Sequence, residues 1–382
     1  MKKKIEWLHT ADLHLDRPIS GWKGTAEQLM VRYEEHRDTF RRIISFVEDR
    51  KLPFLFIAGD FIEHSAVTKS TIHFVIEQLE RIPSTQVFIA PGNHDPYMEG
   101  SYYLRSSIWP KHVHIFGGEW EEHVDTTRKL LIAGRGFTSF LESQSTFPSL
   151  RNNMEHNICV CHGDLQAPSQ GSQYFPLTEN DFFDQPFDYV ALGHIHKAGQ
   201  VQLKNKKKTI IRYAGSPEAQ NWKELGRRTV TLGHLRSKGV QLEEVSLHSR
   251  TYEKVEIDIS FCQTRDEVLG GMLSEIQKLP NESYLRIQWV GRRDLELSLE
   301  HEKLWYSRLL AEQGYQNVWL EDETVPDFDL EQYRQQSGLV ALFIERMEQK
   351  YQQEQDEDGR QLIKRAMYKG LEALLVKELA HL

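Results

Sequence analysis

Five apolar stretches of this 382-residue chain end in side chains that commonly bind metal ions. Each stretch is short and rich in branched or aromatic residues, which predicts a β-strand. A buried cluster of carboxylate, amide and imidazole groups is costly unless an ion or ligand is bound there. We therefore expect the five strand ends to meet around metal ions. The polar residues at or just past these ends are Asp12, His14, Asp60, Asn93, His162, His194 and His196.

The mixed oxygen and nitrogen character of this set restricts the metal. Mg²⁺ and Ca²⁺ prefer shells made almost entirely of oxygen, and structural zinc favours cysteine. Carboxylate, imidazole and amide ligands together suit Mn²⁺, Fe²⁺ or Zn²⁺. Seven ligands are too many for one ion with an open position, but they suit two ions that share a carboxylate, an arrangement used to hydrolyse phosphate esters. Six other histidines are assigned to ordinary core or surface positions: His9, His36, His73, His112, His114 and His156.

The order of the predicted elements indicates an α/β fold. A first strand over residues 5–15 precedes a long amphipathic helix and a wholly apolar run at 54–58, which is typical of a strand buried on both faces. Thr68 is predicted to cap a second helix that ends before Pro83. After about residue 130, strands follow one another directly. We predict a two-layered β-sandwich core flanked by helices, spanning residues 1–248.

Two further segments follow this core. Residues 249–326 have a β-α-β-α-β pattern, which predicts a small α/β domain, and the acidic stretch at 321–327 is predicted to be a linker. Residues 327–382 form two predicted helices with wide apolar faces, at 339–347 and 362–379. These faces would pack on the chain itself or dock against a partner helix, and the sequence favours neither.

Composition limits the partners and the compartment. The net charge is −9, and residues 301–382 contain 16 acidic and 10 basic residues. If the substrate is DNA, bound metals or a basic partner must supply much of the attraction. The lysines at 204–208 are interpreted as a solvated hairpin tip rather than a phosphate contact. With three cysteines, no secretion signal and no apolar run of ~20 residues, we expect a cytoplasmic protein outside the membrane.

The five strand ends resemble the signatures of a known family. Asp12-x-His14, Gly59-Asp60, Gly92-Asn93-His94-Asp95, His162-Gly163 and Gly193-His194-x-His196 are similar to those of the calcineurin-like metallophosphoesterases. The flanking residues His9 to Leu15 and Tyr213-Ala214-Gly215-Ser216-Pro217 resemble SbcD-type DNA repair nucleases, and Leu15-Asp16 with Gly92 to Pro96 resembles their YhaO-like branch. The α/β domain and the helix pair are similar in layout to the capping domain and to the segment that docks on an SbcC-type coiled-coil ATPase.

This resemblance implies a role for each site residue. A first metal would be held by Asp12, His14 and His196, a second by Asn93, His162 and His194, with Asp60 bridging them. His94 would donate a proton to the leaving oxygen or steady the charge on the phosphate. Glu63 occupies a place where the nuclease family commonly has His or Asp, and a carboxylate there would hydrogen-bond His94. The alternative for Glu63 is an ordinary loop residue at the surface.

The activity that follows from the resemblance is phosphodiester hydrolysis by a hydroxide held between two metal ions. We expect a Mn²⁺-dependent DNA exonuclease or endonuclease in repair or end processing, with Fe²⁺, Zn²⁺ and Mg²⁺ as alternative ions. A homodimer that works with the ATPase is also implied. Two other functions remain open: a small-molecule phosphodiesterase or phosphatase on the same site, and a scaffold that has lost catalysis.

Overall fold

A computed structural model of the chain describes residues 5–20, 22, 25–145, 147, 150, 154–165, 171–236, 239–280 and 283–375. The chain divides into two compact units, Met1–Thr251 and Tyr252–Leu382. The first unit contains β1 (Ile5–Thr10), α1 (Ala26–Arg50), β2 (Phe54–Ile57), α2 (Lys69–Glu80), β3 (Gln86–Ile89), two 3₁₀ turns (Tyr102–Leu104 and Ser106–Ile108), β4 (Val113–Ile115), β5 (Glu121–Asp125), β6 (Leu130–Gly134), β7 (His156–His162), β8 (Asp164–Leu165), β9 (Pro176–Leu177), α3 (Glu179–Phe183), β10 (Tyr189–Gly193), β11 (Gly199–Gln202), β12 (Ile210–Tyr213), β13 (Val230–Arg236) and β14 (Gly239–Val245).

Two six-stranded sheets form the framework of the first unit. Their strand orders are β14-β13-β1-β2-β3-β4 and β11-β12-β10-β7-β6-β5. Strands β1 to β4 run parallel in one sheet, and β6, β7, β10 and β12 run parallel in the other. The carboxyl ends of neighbouring parallel strands lie at the same edge of a sheet, where functional sites commonly form. The predicted α/β class with a two-layered core is confirmed.

The side chains of β2 point alternately to the two faces of its sheet, which shows how the two sheets are held together. Phe54 and Phe56 point between the two sheets and share a core cluster with Tyr189 of β10. Leu55 and Ile57 point to the opposite face, into a cluster formed with residues of α1 and α2. All four side chains of β2 are fully buried, and each contributes about 1.5–3 kcal/mol by leaving water. The apolar run at 54–58 is therefore the central strand that its composition predicts.

The two long helices begin at defined caps. Thr25 accepts a hydrogen bond from Gln28 N, and the Gln28 side chain accepts one from Thr25 N, so α1 starts with a capping box. Thr68 accepts a hydrogen bond from Thr71 N, which confirms its predicted role as the cap of α2. These caps fix where the connections from the strand ends enter the helices.

The second unit has its own core. It contains β15 (Tyr252–Asp258), α4 (Arg265–Ile276), β16 (Tyr284–Val290), β17 (Arg292–Arg293), α5 (Leu299–Glu312), β18 (Val318–Asp322), β19 (Val325–Pro326), α6 (Leu330–Arg334), α7 (Leu339–Gln353) and α8 (Glu357–Leu375). Strands β15, β16 and β18 form a parallel sheet, and α4 and α5 bury residues such as Met272 and Tyr306 in the cluster that this sheet forms. The three-domain division predicted from the sequence stays a prediction.

The predicted linker at 321–327 is wrong. Most of it is strand, because β18 extends to Asp322 and β19 pairs with β17. Beyond it, Phe328 shares a buried cluster with Ile344 of α7 and Leu371 of α8, so the helix pair packs on its own chain along one face. Leu379, at the end of the predicted second apolar stripe, lies outside the described residues.

Candidate metal centre

The site begins with an unusual backbone at the ends of the strands. Asp12, His14, Asp60 and His194 all have positive φ angles, of 54°, 48°, 49° and 107°. Such conformations are uncommon for residues with a side chain, and they cluster at functional sites. The loops after β1 and β2 hold each other in place, since Asp12 N donates to Gly59 O at 3.1 Å and His14 N donates to Asp60 O at 2.8 Å.

Asp60 lies at the centre of the cluster. Its Oδ2 is 3.5 Å from His14 Nε2 and 3.5 Å from His162 Nε2, so one oxygen faces both imidazoles. Its Oδ1 accepts a hydrogen bond from His94 N at 2.8 Å. A Cβ at Gly92 would lie 2.3 Å from that same oxygen, which explains why the turn carries glycine there. The position of Asp60 suits a carboxylate shared by two ions.

The first group of ligand atoms comes from Asp12, His14 and His196, whose atoms lie within 4.8 Å of one another. His14 Nε2 is 3.2 Å from His196 Nε2. The other ring nitrogen of His196, Nδ1, donates to Glu224 Oε1 at 2.7 Å. A carboxylate in this place fixes the ring and keeps Nε2 turned toward the site, as is usual around metal-binding histidines.

The second group contains Asp12, Asp60 and His162. His162 Nδ1 donates to Ala58 O at 2.9 Å, and its Nε2 is 3.1 Å from Asn93 Oδ1. The ring of His194 lies 5.3 Å from that of His162 between centroids. Among the described residues, His194 is in none of these ligand groups, whereas Asn93 joins the cluster through its contact with His162.

The electrostatics of the cluster fit cations. Burial raises the pKa of Asp12 to about 6, although the neighbouring His162 and His196 lower it. Burial also lowers the pKa of His14 and of His194 to about 4, so both imidazoles are neutral near pH 7. Buried carboxylates and neutral imidazoles whose lone pairs converge lack a compensating positive charge. The donor set therefore fits two divalent ions, as the seven ligands predict.

His94 and Glu63 form a pair beside this cluster. His94 Nδ1 lies 3.0 Å from Glu63 Oε2, and the hydrogen bond with Glu63 raises the pKa of His94 above its ordinary value. Burial raises the pKa of Glu63, but the neighbouring His14 and His94 outweigh this and lower the pKa to about 2. Glu63 is 9 % exposed, so it is not the surface residue of the alternative interpretation. His94 also forms a ligand group with His14 and Asp60.

Three residues of the site escape sequence reasoning. Glu224 follows His196 by 28 positions with no spacing rule to connect them. Asp95 is given no role by the resemblance, yet its carboxylate accepts hydrogen bonds from Gly92 N, Asp60 N and Phe61 N, which ties the loops after β2 and β3 together. The signal in the sequence for Asp95 is its place in the turn after β3, where a carboxylate has backbone N–H groups to satisfy.

Arg17 is the third. Its Nη1 lies 3.3 Å from His14 Nε2, one of the predicted ligand atoms. Across the described parts of the chain, no carboxylate lies within ion-pair distance of its guanidinium. An unpaired arginine beside a predicted metal ligand is well placed to meet the oxygens of a phosphate.

Comparisons with known proteins agree with this geometry. The family model described as "Calcineurin-like phosphoesterase" matches residues 7–198. The chain is similar to the "Uncharacterized metallophosphoesterase YhaO" of Bacillus subtilis, with 27 % identity over 68 % of this chain and 64 % of that protein. It is also similar to proteins named "DNA double-strand break repair protein Mre11". The one from Methanopyrus kandleri is 22 % identical over 57 % of this chain and 49 % of its own length. The one from Archaeoglobus fulgidus is 23 % identical over 85 % and 79 %.

The chain thus spans less than two thirds of the YhaO protein and about half of the first Mre11 protein. No helix among the described residues is long and apolar enough to cross a membrane.

Proposed function

Because the chain belongs to the calcineurin-like phosphoesterase family, we propose that it is a metal-dependent DNA nuclease that hydrolyses phosphodiester bonds in repair or end processing. The observation that carries this proposal is the His94–Glu63 pair beside a cluster of carboxylate and imidazole groups that fits two divalent ions. The relatives named for double-strand break repair support DNA as the substrate. Cluster and pair together are suited to hydrolysis of a phosphate ester.

The residues that would hold the metals are the ones that the family resemblance implies. Asp12, His14 and His196 would hold one ion, and Asn93, His162 and His194 the other, with Asp60 between them. When bound, two such ions polarise phosphate oxygens and lower the pKa of a water molecule, with Mn²⁺ the ion we expect and Fe²⁺, Zn²⁺ or Mg²⁺ as alternatives. Glu224 and the Ala58 carbonyl keep the rings of His196 and His162 turned toward the ions.

His94 supplies the proton in this proposal. Its Nδ1–H is held by Glu63, so Nε2 is left to carry a proton to the oxygen that leaves when the P–O bond breaks. The Glu63 carboxylate favours the protonated imidazole, because its hydrogen bond raises the pKa of His94 above the ordinary value. The backbone hydrogen bond from His94 N to Asp60 Oδ1 fixes the donor against the bridging carboxylate.

Arg17 binds the phosphate in this proposal. The guanidinium has no competing carboxylate among the described residues, and its Nη1 lies 3.3 Å from His14 Nε2. A planar fork of N–H donors matches two phosphate oxygens, and the charge that builds on these oxygens during in-line attack strengthens the contact. Arg17 therefore adds a fixed positive charge that does not depend on which ion is bound.

The homodimer and the ATPase partner belong to the same proposal. The support is that α7 and α8 bury one apolar face and leave another open, since Leu339, Leu342 and Leu362 are 67 %, 51 % and 68 % exposed. A Leu342→Glu and Leu362→Glu variant should stay folded but lose co-purification with an SbcC-type coiled-coil ATPase. Retention of the partner would contradict docking through these helices.

The nuclease proposal is tested with the purified full chain. We expect cleavage of linear duplex or single-stranded DNA with defined ends in Mn²⁺, and none in chelator. A panel of end-labelled substrates in Mn²⁺ and Mg²⁺ would also give the polarity and the metal preference. Hydrolysis of a small diester without cleavage of any DNA, with and without the partner, would instead establish the small-molecule phosphodiesterase. Failure to take up metal at micromolar Mn²⁺ would point to the non-catalytic scaffold.

A further inference from the structure

A cavity of about 460 Å³ opens beside the predicted metal ligand His196. Its size lies within the ~300–1,000 Å³ that is usual for ligand sites. It is formed by the residues after β10 and by the segment that joins β12 to β13. The charged residues in its wall are Lys197, Lys223, Glu224, Arg227, Arg228 and Glu244.

The two carboxylates in this wall are already engaged. Glu224 accepts hydrogen bonds from His196 Nδ1 at 2.7 Å and from Ser216 Oγ at 2.8 Å, and it pairs with Arg228 at 3.0 Å. Glu244 accepts a hydrogen bond from Arg212 at 2.6 Å. Neither acid is therefore free to neutralise another cation in the cavity.

Three cations remain without an acidic partner. In the part of the chain that the structure describes, no carboxylate lies within 4.0 Å of the charged groups of Lys197, Lys223 or Arg227. Arg227 donates a hydrogen bond to the hydroxyl of Ser246, and all three side chains are exposed at the cavity wall. The cavity thus has a local excess of positive charge in a chain whose net charge is −9.

The floor of the cavity is fixed relative to His196. The His196 carbonyl accepts hydrogen bonds from Ser216 N at 3.1 Å and from Arg228 Nη1 at 2.9 Å. Gly215 has a φ of 75°, and a Cβ there would lie 2.7 Å from Ala198 N. These contacts fix the backbone of the cavity floor relative to the predicted metal ligand His196.

We propose that this cavity binds a phosphate of the substrate strand next to the one that is cleaved. The inference rests on the proposed function and deepens it, because it makes a phosphodiester polymer the substrate. A phosphate monoester or a small diester has no second phosphate to place there. Contacts to successive phosphates set the position of a nucleic acid strand without reading its sequence, which suits exposed lysines and arginine. A chain with a net negative charge needs a local source of positive charge to bind DNA, and the three cations of this cavity would supply it.

Salt dependence of binding tests the proposal. The protein loaded with Mn²⁺ is titrated into a fluorescent single-stranded oligonucleotide with phosphorothioate linkages, between about 50 and 200 mM KCl. Each phosphate contact on a single strand contributes ~0.7 to the slope of log affinity against log salt. Because the cavity is proposed to hold one phosphate, the triple variant Lys197→Gln, Lys223→Gln, Arg227→Gln should lower this slope by about 0.7, which corresponds to roughly 5-fold weaker binding near 0.1 M salt.

A matched control removes the same charge elsewhere. Lys204→Gln, Lys206→Gln, Lys208→Gln changes three lysines of the hairpin between β11 and β12, none of which lines the cavity, and it should keep the slope of the wild type. Thermal unfolding and metal content of both triple variants verify that they are folded. Equal slopes in the cavity variant and the wild type, or an equal decrease in the control, would overturn the proposal.

The outcome is separable from the nuclease proposal. If the cavity variant has the lower salt slope that we expect, but the wild-type protein cuts no DNA, the nuclease proposal is refuted and the phosphate site stays supported. A wild-type protein that cuts DNA while the cavity variant keeps its slope refutes the phosphate site alone.

Discussion

Replacement of His94 by alanine tests whether this residue serves as the proton donor and is not needed for metal binding. The ring lies against Glu63 at 3.0 Å, while its backbone N–H, which the substitution keeps, holds Asp60. We expect both metal ions to stay bound and turnover of DNA to fall by 10²–10⁴, the usual contribution of a general acid. At 1.36 kcal/mol per factor of ten, this is about 2.7–5.4 kcal/mol of transition-state stabilisation.

The assay compares two leaving groups. The sugar alkoxide of DNA leaves poorly without a proton, whereas the nitrophenolate of bis(p-nitrophenyl) phosphate leaves readily. His94→Ala should therefore lose far more kcat on DNA than on the nitrophenyl diester. Metal content is measured on the same preparation by mass spectrometry. His73→Ala, at an exposed position of α2, serves as the histidine control and should retain both metals and full turnover.

Two results would refute the reasoning. Loss of one metal equivalent would mean that His94 is a ligand, as its grouping with His14 and Asp60 allows. An equal loss of kcat on both substrates would mean that His94 acts on the phosphate charge rather than on the leaving oxygen.

Three further predictions concern residues around the cluster. Arg17→Gln should lower kcat/KM on both substrates by about 10- to 100-fold, because hydrogen bonds to charged groups are worth ~1.5–3 kcal/mol. The metal content should stay unchanged, and a loss of metal would contradict a role on the phosphate. Glu224→Gln should weaken metal affinity by about 10–100-fold in a metal titration, because it orients His196, and an unchanged affinity would show that Glu224 only supports the loop. Burial lowers the pKa of His9 to about 3 and that of His36 well below its ordinary value, so only the unfolded chain takes up these protons as the pH falls through 6.5. The free energy of unfolding should therefore decrease between pH 6.5 and 5 by about 2 kcal/mol per histidine, and urea unfolding of His36→Asn should lack one such share; equal decreases in variant and wild type would argue against a neutral His36.

The fold and the position of the predicted ligands at strand ends can largely be predicted from the sequence because both depend on local signals. A central strand such as 54–58 needs apolar side chains on both faces, and the ligand follows directly after it. The apolar run and the Gly59-Asp60 pair that ends it are therefore enough to place Asp60 at a strand end. The same strand ends carry the resemblance to the family, and the family model that matches residues 7–198 confirms it.

The residues that support the ligands cannot be predicted in the same way. Glu224 reaches His196 across a loop whose path depends on Gly215 and Arg228, and no periodicity describes such a path. The linker prediction fails for a related reason. Acidic residues next to Pro326 suggest an exposed connection, but pairing of β19 with β17 is a long-range contact that composition does not encode.

The apolar faces of the helix pair, α7 and α8, support both interpretations: packing on the chain itself and docking against a partner. Burial of Ile344 and Leu371 with Phe328 satisfies part of each stripe, so self-packing is real. Truncation after Asp329 would uncover this cluster and also remove the partner of Arg293, which pairs with Glu372 at 2.5 Å. An insoluble truncated protein would therefore say nothing about docking, and only substitutions on the exposed face separate the two interpretations.

The turn after β3 holds a predicted metal ligand, the proposed proton donor and a buried carboxylate that supports them. Three consecutive polar residues point in three directions: Asn93 toward His162, His94 toward Glu63, and Asp95 back into the loops. Asp95 is 1 % exposed and accepts several backbone hydrogen bonds as well as one from the Tyr103 hydroxyl at 2.7 Å. A buried carboxylate that holds two loops at once couples Asp60 to His94, since the backbone of both residues lies in the loops that it fixes. The distance between Asp60 and His94 is therefore a property of the fold, and the chemistry proposed for His94 also depends on Asp95.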